Sequence, residues 1–172
     1  YEVQKDSIIF HWAIGKLYKL NSKWNTDNVA YAARGSLSLL DGRRGSKNDF
    51  NDGAWQGYFG TDIDVELDLG DTIPTSKIIM GFGELMRYGI LFPKQIEVST
   101  SADGINYTLV KTEINTLELN TEKRMTHDYI IPLENIHSRF LKIVARTQGT
   151  LPEWHYAKGK TSWLFVDEII VE

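Results

Sequence analysis

The chain of 172 residues contains no cysteine. That excludes a disulfide scaffold, a thiolate zinc or iron–sulfur centre, and a cysteine nucleophile. Proline is scarce, at 4 residues, and no Pro/Ser-rich linker divides the chain. Charge of one sign is lacking too: 19 Lys and Arg against 23 Asp and Glu leave a net charge of −4. A mildly acidic chain is a poor phosphate binder, so nucleic acid is not an expected partner. No run approaches the roughly 18 apolar residues of a membrane-spanning helix, so no membrane insertion is expected. The opening YEVQKDSIIFHW lacks the basic start and apolar run of a signal peptide. Catalytic signatures are also missing. There is no G-x-S-x-G, no H-E-x-x-H and no P-loop. Gly81-Phe82-Gly83 opens like a dinucleotide fingerprint, but Met86 stands where the third glycine belongs.

What is present is ordinary globular composition: 42% hydrophobic, 12% aromatic and 24% charged residues. The length fits one domain, residues 1–172, with a core from about residue 14. The chain opens without methionine and is expected to be the C-terminal piece of a larger protein.

The periodicity is that of strands. Asp62–Leu69 alternates polar and apolar without a fault, which predicts a half-buried strand with Ile63, Val65, Leu67 and Leu69 inward. Lys77–Gly83 is apolar enough to be buried on both faces. Gln95–Thr100 alternates, and Asp103-Gly104 predicts a hairpin turn into Tyr107–Thr112. Met125–Ile131, Phe140–Ala145 and Trp163–Val171 complete the set. No window carries a capped 3.6-residue apolar stripe. Many short strands and almost no helix predict an all-β sandwich or jelly roll.

Two long loops interrupt the strands, Asp41–Gly53 (DGRRGSKNDFNDG) and Thr147–Thr161 (TQGTLPEWHYAKGKT). Loops this long are uncommon in compact domains and are often functional. Both carry aromatic residues at or near their tips. The acidic run Asp62, Asp64, Glu66 and Asp68 falls on one outward strand face and reads as solvated. A second acidic set is more suggestive. Asp41, Gly42 and Ser46 lie in the first loop, and Asp167-Glu168 interrupts the apolar final strand. A buried carboxylate must be paired or bind metal. A hard cation such as calcium takes six to eight oxygens, mixing carboxylates with carbonyls. The same residues also suit a plain turn and an edge-strand acid.

Several segments together resemble one family. They are Ser38–Ser46 (SLLDGRRGS), Trp55-Gln56-Gly57, Asp62–Gly70, Phe92-Pro93, Ser99–Gly104 and Val166-Asp167-Glu168-Ile169. In order, they give an L-x-D-G-x-x-x-[ST] loop, an aspartate–leucine–glycine strand end, an S-x-D-G hairpin and a terminal glutamate. The sequence resembles the discoidin family, also called coagulation factor V/VIII type C, which includes carbohydrate-binding module family 32. The wording DGRRGS…DGAWQGYFGTDIDVELDLG with LPEWH…SWLFVDEIIVE is similar to C-terminal modules of family 20 glycoside hydrolases (β-hexosaminidases, chitobiases) of Bacteroidetes.

The resemblance implies an eight-stranded, discoidin-like jelly-roll β-sandwich with a structural calcium. Its metal pattern falls on the Ser38 carbonyl, the Asp41 carboxylate and the Arg43 carbonyl. Ser46 would give hydroxyl and carbonyl, and Asp167 a carbonyl beside the Glu168 carboxylate. It also implies a ligand site on loops at one end of the sandwich. Sugars are held by rings stacking on their C–H faces and by polar groups on their hydroxyls. The candidates are Phe50 and Asn51, then Met86-Arg87-Tyr88, then Glu153-Trp154-His155-Tyr156. Trp55, Trp163 and Phe165 lie in strand contexts and are expected in the core.

The function so implied is a non-catalytic carbohydrate-binding module of an exported glycoside hydrolase, β-hexosaminidase-like. Its partners would be a galactose- or N-acetylhexosamine-type glycan and its own catalytic domain. The alternative is a structural or protein-interaction module docking on that domain or on another protein.

Overall fold

The computed structural model describes residues 8–118 and 123–172. Among the described residues, seven antiparallel strands are joined by loops and three short 3-10 turns. They are β1 (Tyr18–Leu20), β2 (Gln56–Phe59), β3 (Ile63–Glu84), β4 (Gln95–Ser101), β5 (Thr108–Ile114), β6 (Met125–Arg146) and β7 (Trp163–Val171). Instead of eight separate strands, two very long ones serve both layers. β3 and β6 are 22 residues each and pair along almost their whole length. The expected separate strands Met125–Ile131 and Phe140–Ala145 are two arms of one strand. The break between them holds Pro132 and Asn135, the latter with φ +54, residues that interrupted the alternation without ending the strand.

Register shifts after Asp68 and after Thr75 bend β3 from one layer into the other. The first arms, Ile63–Asp68 and Phe140–Ala145, lie between β1 on one side and β4–β5 on the other. The second arms, from Lys77 and from Met125, join β7 and then β2. The inner faces meet in one core. Ile63, Val65, Leu67 and Leu69 point into it as their alternation predicts, facing Ile78, Met80, Phe82, Leu164 and Val166. Trp55 and Phe165 are buried as expected, in a second cluster with Phe50 and Ile90 on the outside of β7.

The outer face of the first layer carries the acidic run, and it is laced with ion pairs. Asp62 and Glu97 share Arg146, Asp64 and Glu66 share Lys142, and Asp68 pairs with Arg139. Opposite charges facing across strands stabilise register modestly, by roughly 0.2–1 kcal/mol each.

Candidate functional site

The acidic end of β7 is shaped by a bulge. Met80 pairs with Ile169 and Phe82 with Val166, so Asp167 and Glu168 together oppose the single residue Gly81. A bulge re-aims side chains. Here Val166 and Ile169 both stay in the core, and the two acids between them leave it. The Asp167 carboxylate accepts from Arg44 Nε at 2.8 Å and from the Gly45 amide at 2.9 Å. Glu168 is fully buried. Its Oε1 lies 3.0 Å from His11 Nε2. The other ring nitrogen, Nδ1, accepts the Val171 amide at 3.4 Å, so Nε2 carries the proton and donates to Glu168.

Of the calcium candidates, Asp41 lies near enough to act on Glu168 electrostatically, and the others are held by bonds of their own. Asp41 accepts from the Arg43 amide at 2.9 Å and from Arg34 at 3.3 Å. Ser38 Oγ donates to the Gly35 carbonyl at 2.9 Å. Ser46 Oγ accepts from the Asn48 amide, and the Ser46 carbonyl accepts from Trp55 Nε1, each at 3.1 Å. Gly42, with φ +76, turns the loop where a Cβ would lie 2.7 Å from Ile8 and 2.9 Å from Ile14. Burial pushes the Glu168 carboxyl above its ordinary value and the Asp41 charge adds to that, while His11 and the Gly42 amide oppose it. Its second oxygen, Oε2, is buried without a partner. An orphaned buried carboxylate oxygen near a second carboxylate fits a hard cation. Among the described residues no three acidic or histidine side chains converge. Carbonyl oxygens would therefore have to supply most of the ligands.

The sugar candidates divide. Loop 85–92 and loop 147–162 are fastened together. The Leu91 amide donates to the Trp163 carbonyl at 3.0 Å, and the Trp163 amide donates to Gly89 at 2.8 Å. His155 Nε2 donates to the Met86 carbonyl at 2.8 Å, and its Nδ1 accepts the Ala157 amide at 3.0 Å. Tyr156 Oη donates to the Arg87 carbonyl at 2.8 Å. Met86, Leu91 and Leu151 fill the space beneath. On top stand Arg87, Tyr88, Trp154 and Tyr156, with the last three 66%, 52% and 81% exposed. Glu153 is exposed and pairs with Lys158 at 3.2 Å.

Two expectations need correction. His155 is a buried clamp, because both ring nitrogens are spent on backbone groups and neither can reach a sugar. Phe50 is 2% exposed. Its ring packs on Trp55 and Phe165 at 4.9 and 6.0 Å, so it presents no face to a ligand. Asn51 is exposed on the first loop and bonds Asp49 within its own turn.

Sequence reasoning missed His11, Arg44 and Glu84. His11 lies 157 residues from Glu168, and no local pattern connects them. Glu84 had a signal: it continues the inward alternation Ile78, Met80, Phe82 at the end of β3. It is fully buried, and neither carboxylate oxygen has a well-formed hydrogen bond. Burial pushes its pKa up to about 7, which the Phe92 amide offsets only in part.

No protein-family model matches the sequence, and no curated protein matches it. Solved structures do. Chitosan-binding module 1 of a chitosanase/glucanase from Paenibacillus sp. IK-5 matches with a TM-score of 0.57 at 12% identity, over 95% of this chain and 99% of that one. Module 2 of the same enzyme, solved with chitotriose, matches with a TM-score of 0.54 at 14% identity, over 93% and 98%. CpGH89CBM32-4 of Clostridium perfringens, solved with GlcNAc-α-1,4-galactose, matches with a TM-score of 0.51 at 12% identity, over 96% and 95%. The fold is thus the discoidin-like β-sandwich of family 32 carbohydrate-binding modules.

Proposed function

We propose that this chain is a non-catalytic carbohydrate-binding module whose sugar site is the platform of Arg87, Tyr88, Trp154 and Tyr156. The observation that carries this reading is a set of exposed rings held rigid from below, with His155 and Tyr156 Oη fastening one loop to the other. Stiff, solvent-facing rings suit the C–H face of a pyranose, and the planar guanidinium of Arg87 suits its vicinal hydroxyls. Structural neighbours were solved with chitotriose and with GlcNAc-α-1,4-galactose, which supports a ligand of N-acetylhexosamine or galactose type. A single shallow site of this kind binds weakly, at about 4–8 kcal/mol. In the same reading the module accompanies an exported β-hexosaminidase-type catalytic domain and holds it near glycan by avidity. An NMR titration with galactose, N-acetylglucosamine and chitotriose tests it. Shifts are expected at residues 87–88 and 153–156, and their absence there overturns the reading.

A structural calcium belongs to the proposal as well. Glu168, Asp41 and Ser46 would hold it by side chains, and Ser38, Arg43, Ser46 and Asp167 by carbonyls. Its chemistry would be electrostatic, tying the first loop to the last strand. Chelation is expected to lower the melting temperature, and Glu168→Ala is expected to abolish that response. A protein free of metal by elemental analysis, with a melting curve indifferent to added calcium, would overturn it.

A further inference from the structure

We propose that the outer face of the first layer carries a second glycan subsite, a cleft beneath the turn Ser101–Tyr107 that takes one uncharged pyranose ring. The ligand class rests on the reading above; the site does not, because it shares no residue with the platform. The cleft has a volume of about 290 Å³ and lies between β1, β3, β6 and the turn. That is near the lower end of ligand pockets and suits one ring rather than a chain.

One wall is apolar. Leu17 is 85% exposed at its rim, the Tyr107 ring stands beside it, and Phe140 forms the floor. Gly104 makes the floor possible. It has φ +73, and a Cβ there would lie 3.1 Å from the Phe140 ring. The turn can therefore settle onto Phe140 and close one end of the cleft.

The other wall is polar and already organised. Glu66 accepts from Asn21 at 2.7 Å and lies 3.5 Å from Lys19. Asp68 is held bidentate by Arg139 at 2.7 and 2.8 Å. These pairings cancel the charge while leaving carboxylate lone pairs that can accept hydroxyls. A cleft with balanced charge favours a neutral polyol over an anion or a cation. Tyr107 adds the telling feature. Its hydroxyl makes no hydrogen bond to any described residue, and partial burial, with the nearby charges of Glu66, Asp103 and Asp68, raises its pKa above the ordinary tyrosine value. An unspent donor in a cleft that Glu66 and Asp68 also line, beside an aromatic wall, matches the hydroxyl rim and C–H face of a sugar.

Placement gives the cleft a use. It adjoins the far end of β4, at Ser101, while loop 85–92 leads into that strand's start at Gln95. Seven residues of strand separate the two by roughly 20 Å. Two weak sites on one rigid body gain by avidity on a polymeric glycan.

The test is a residue-resolved NMR titration of the whole chain with galactose, N-acetylglucosamine and chitotriose. It is repeated with Trp154→Ala, Tyr107→Ala and Tyr107→Phe. Two separate sets of shifts are expected, one at 87–88 and 153–156, the other at 17–19 and 104–107. Trp154→Ala should weaken the first set and leave the second unchanged. Tyr107→Ala should weaken the second about tenfold and leave the first. Tyr107→Phe, which keeps the ring and the fold, should give a smaller loss at the second set alone. Shifts confined to the platform overturn the cleft and leave the platform standing. Shifts confined to the cleft overturn the platform and sustain the cleft. No shift at either set, with all three sugars, overturns both.

Discussion

The two long loops have similar length and both carry aromatic residues, Phe50 in the first and Trp154 and Tyr156 in the second, and the structure gives them opposite fates. The first, around Phe50, lies down on the outside of the second layer. The second, around Trp154, stands up and shows its rings to solvent. The difference comes from what lies opposite. Beneath the first loop β3 presents Gly81 and Gly83. A Cβ at Gly83 would come within 2.7 Å of the Phe50 ring, and one at Gly81 would strike Arg44 and Asp167. Two missing side chains on one strand make a trough, and the loop fills it with Phe50 and the Arg44–Asp167 pair. Beneath the second loop lies another loop, fastened by Leu151 and His155. It offers anchors but no trough, so Trp154 and Tyr156 remain outside. Aromatic residues in a loop are therefore ambiguous until the facing strand is read for glycine.

The largest effect is expected where the first loop is emptied. Phe50→Ala removes a ring that touches Trp55 and Phe165 and leaves a cavity over Gly83. Such truncations cost about 3–5 kcal/mol. Chemical denaturation should show that loss, with sugar binding unchanged in the protein that remains folded. A loss below about 1 kcal/mol would mean that the trough is an open, ligand-ready surface after all, and the contrast between the loops would collapse.

The next effect probes what supports the second region. Glu84 is buried at the base of loop 85–92, its carboxyl pushed by burial from 4.5 up to about 7. The folded state therefore holds this proton where the unfolded state has released it. Stability from this group is fully present below pH 4.5 and declines as pH rises towards 7. The whole decline is on the order of 3 kcal/mol. Melting temperature should fall across this window in the native chain and fall much less in Glu84→Gln. Parallel curves for the two proteins would show that the carboxyl is solvated and the loop base wet.

Much of the fold was legible because alternation is a local signal. Gln95–Thr100 and Trp163–Val171 fall almost residue for residue where the pattern puts them, while Asp62–Leu69 and Lys77–Gly83, expected as separate strands, are two arms of β3, which runs on through Gly70 to Glu84. The joining of two expected strands into β6 was not legible, because Pro132 and Asn135 read as breakers and only the partner strand shows that pairing resumes beyond them. The acidic pair Asp167-Glu168 was visible, but its bulge was not. A register shift depends on β3, far away in sequence. Of the platform, Arg87, Tyr88, Trp154 and Tyr156 were named from residue type and loop position. Phe50 and His155 were misplaced for one reason: residue type does not say whether a ring's polar atoms or faces are already spent on the protein's own backbone and core.

The smallest effect on stability should accompany the largest effect on binding, and it separates clamp from platform. Trp154 is half exposed, and its ring lies tilted 6.2 Å from that of His155. Its replacement by Ala should change stability by no more than about 0.5 kcal/mol. His155, two hydrogen bonds deep, should behave otherwise. Removing it leaves the Ala157 amide without its partner and the Met86 carbonyl with the Gly89 amide alone, at about 1–3 kcal/mol. Both variants should lose sugar affinity, but by different routes. Trp154→Ala removes a stacking face from an intact site, so shifts at residues 87–88 should persist with a weaker constant. His155→Ala loosens the two loops from each other, so the free protein's own resonances at 86–91 and 151–160 should broaden before any sugar is added. If Trp154→Ala also broadens them, the indole is part of the clamp, and the second loop buries its aromatics for stability just as the first one does.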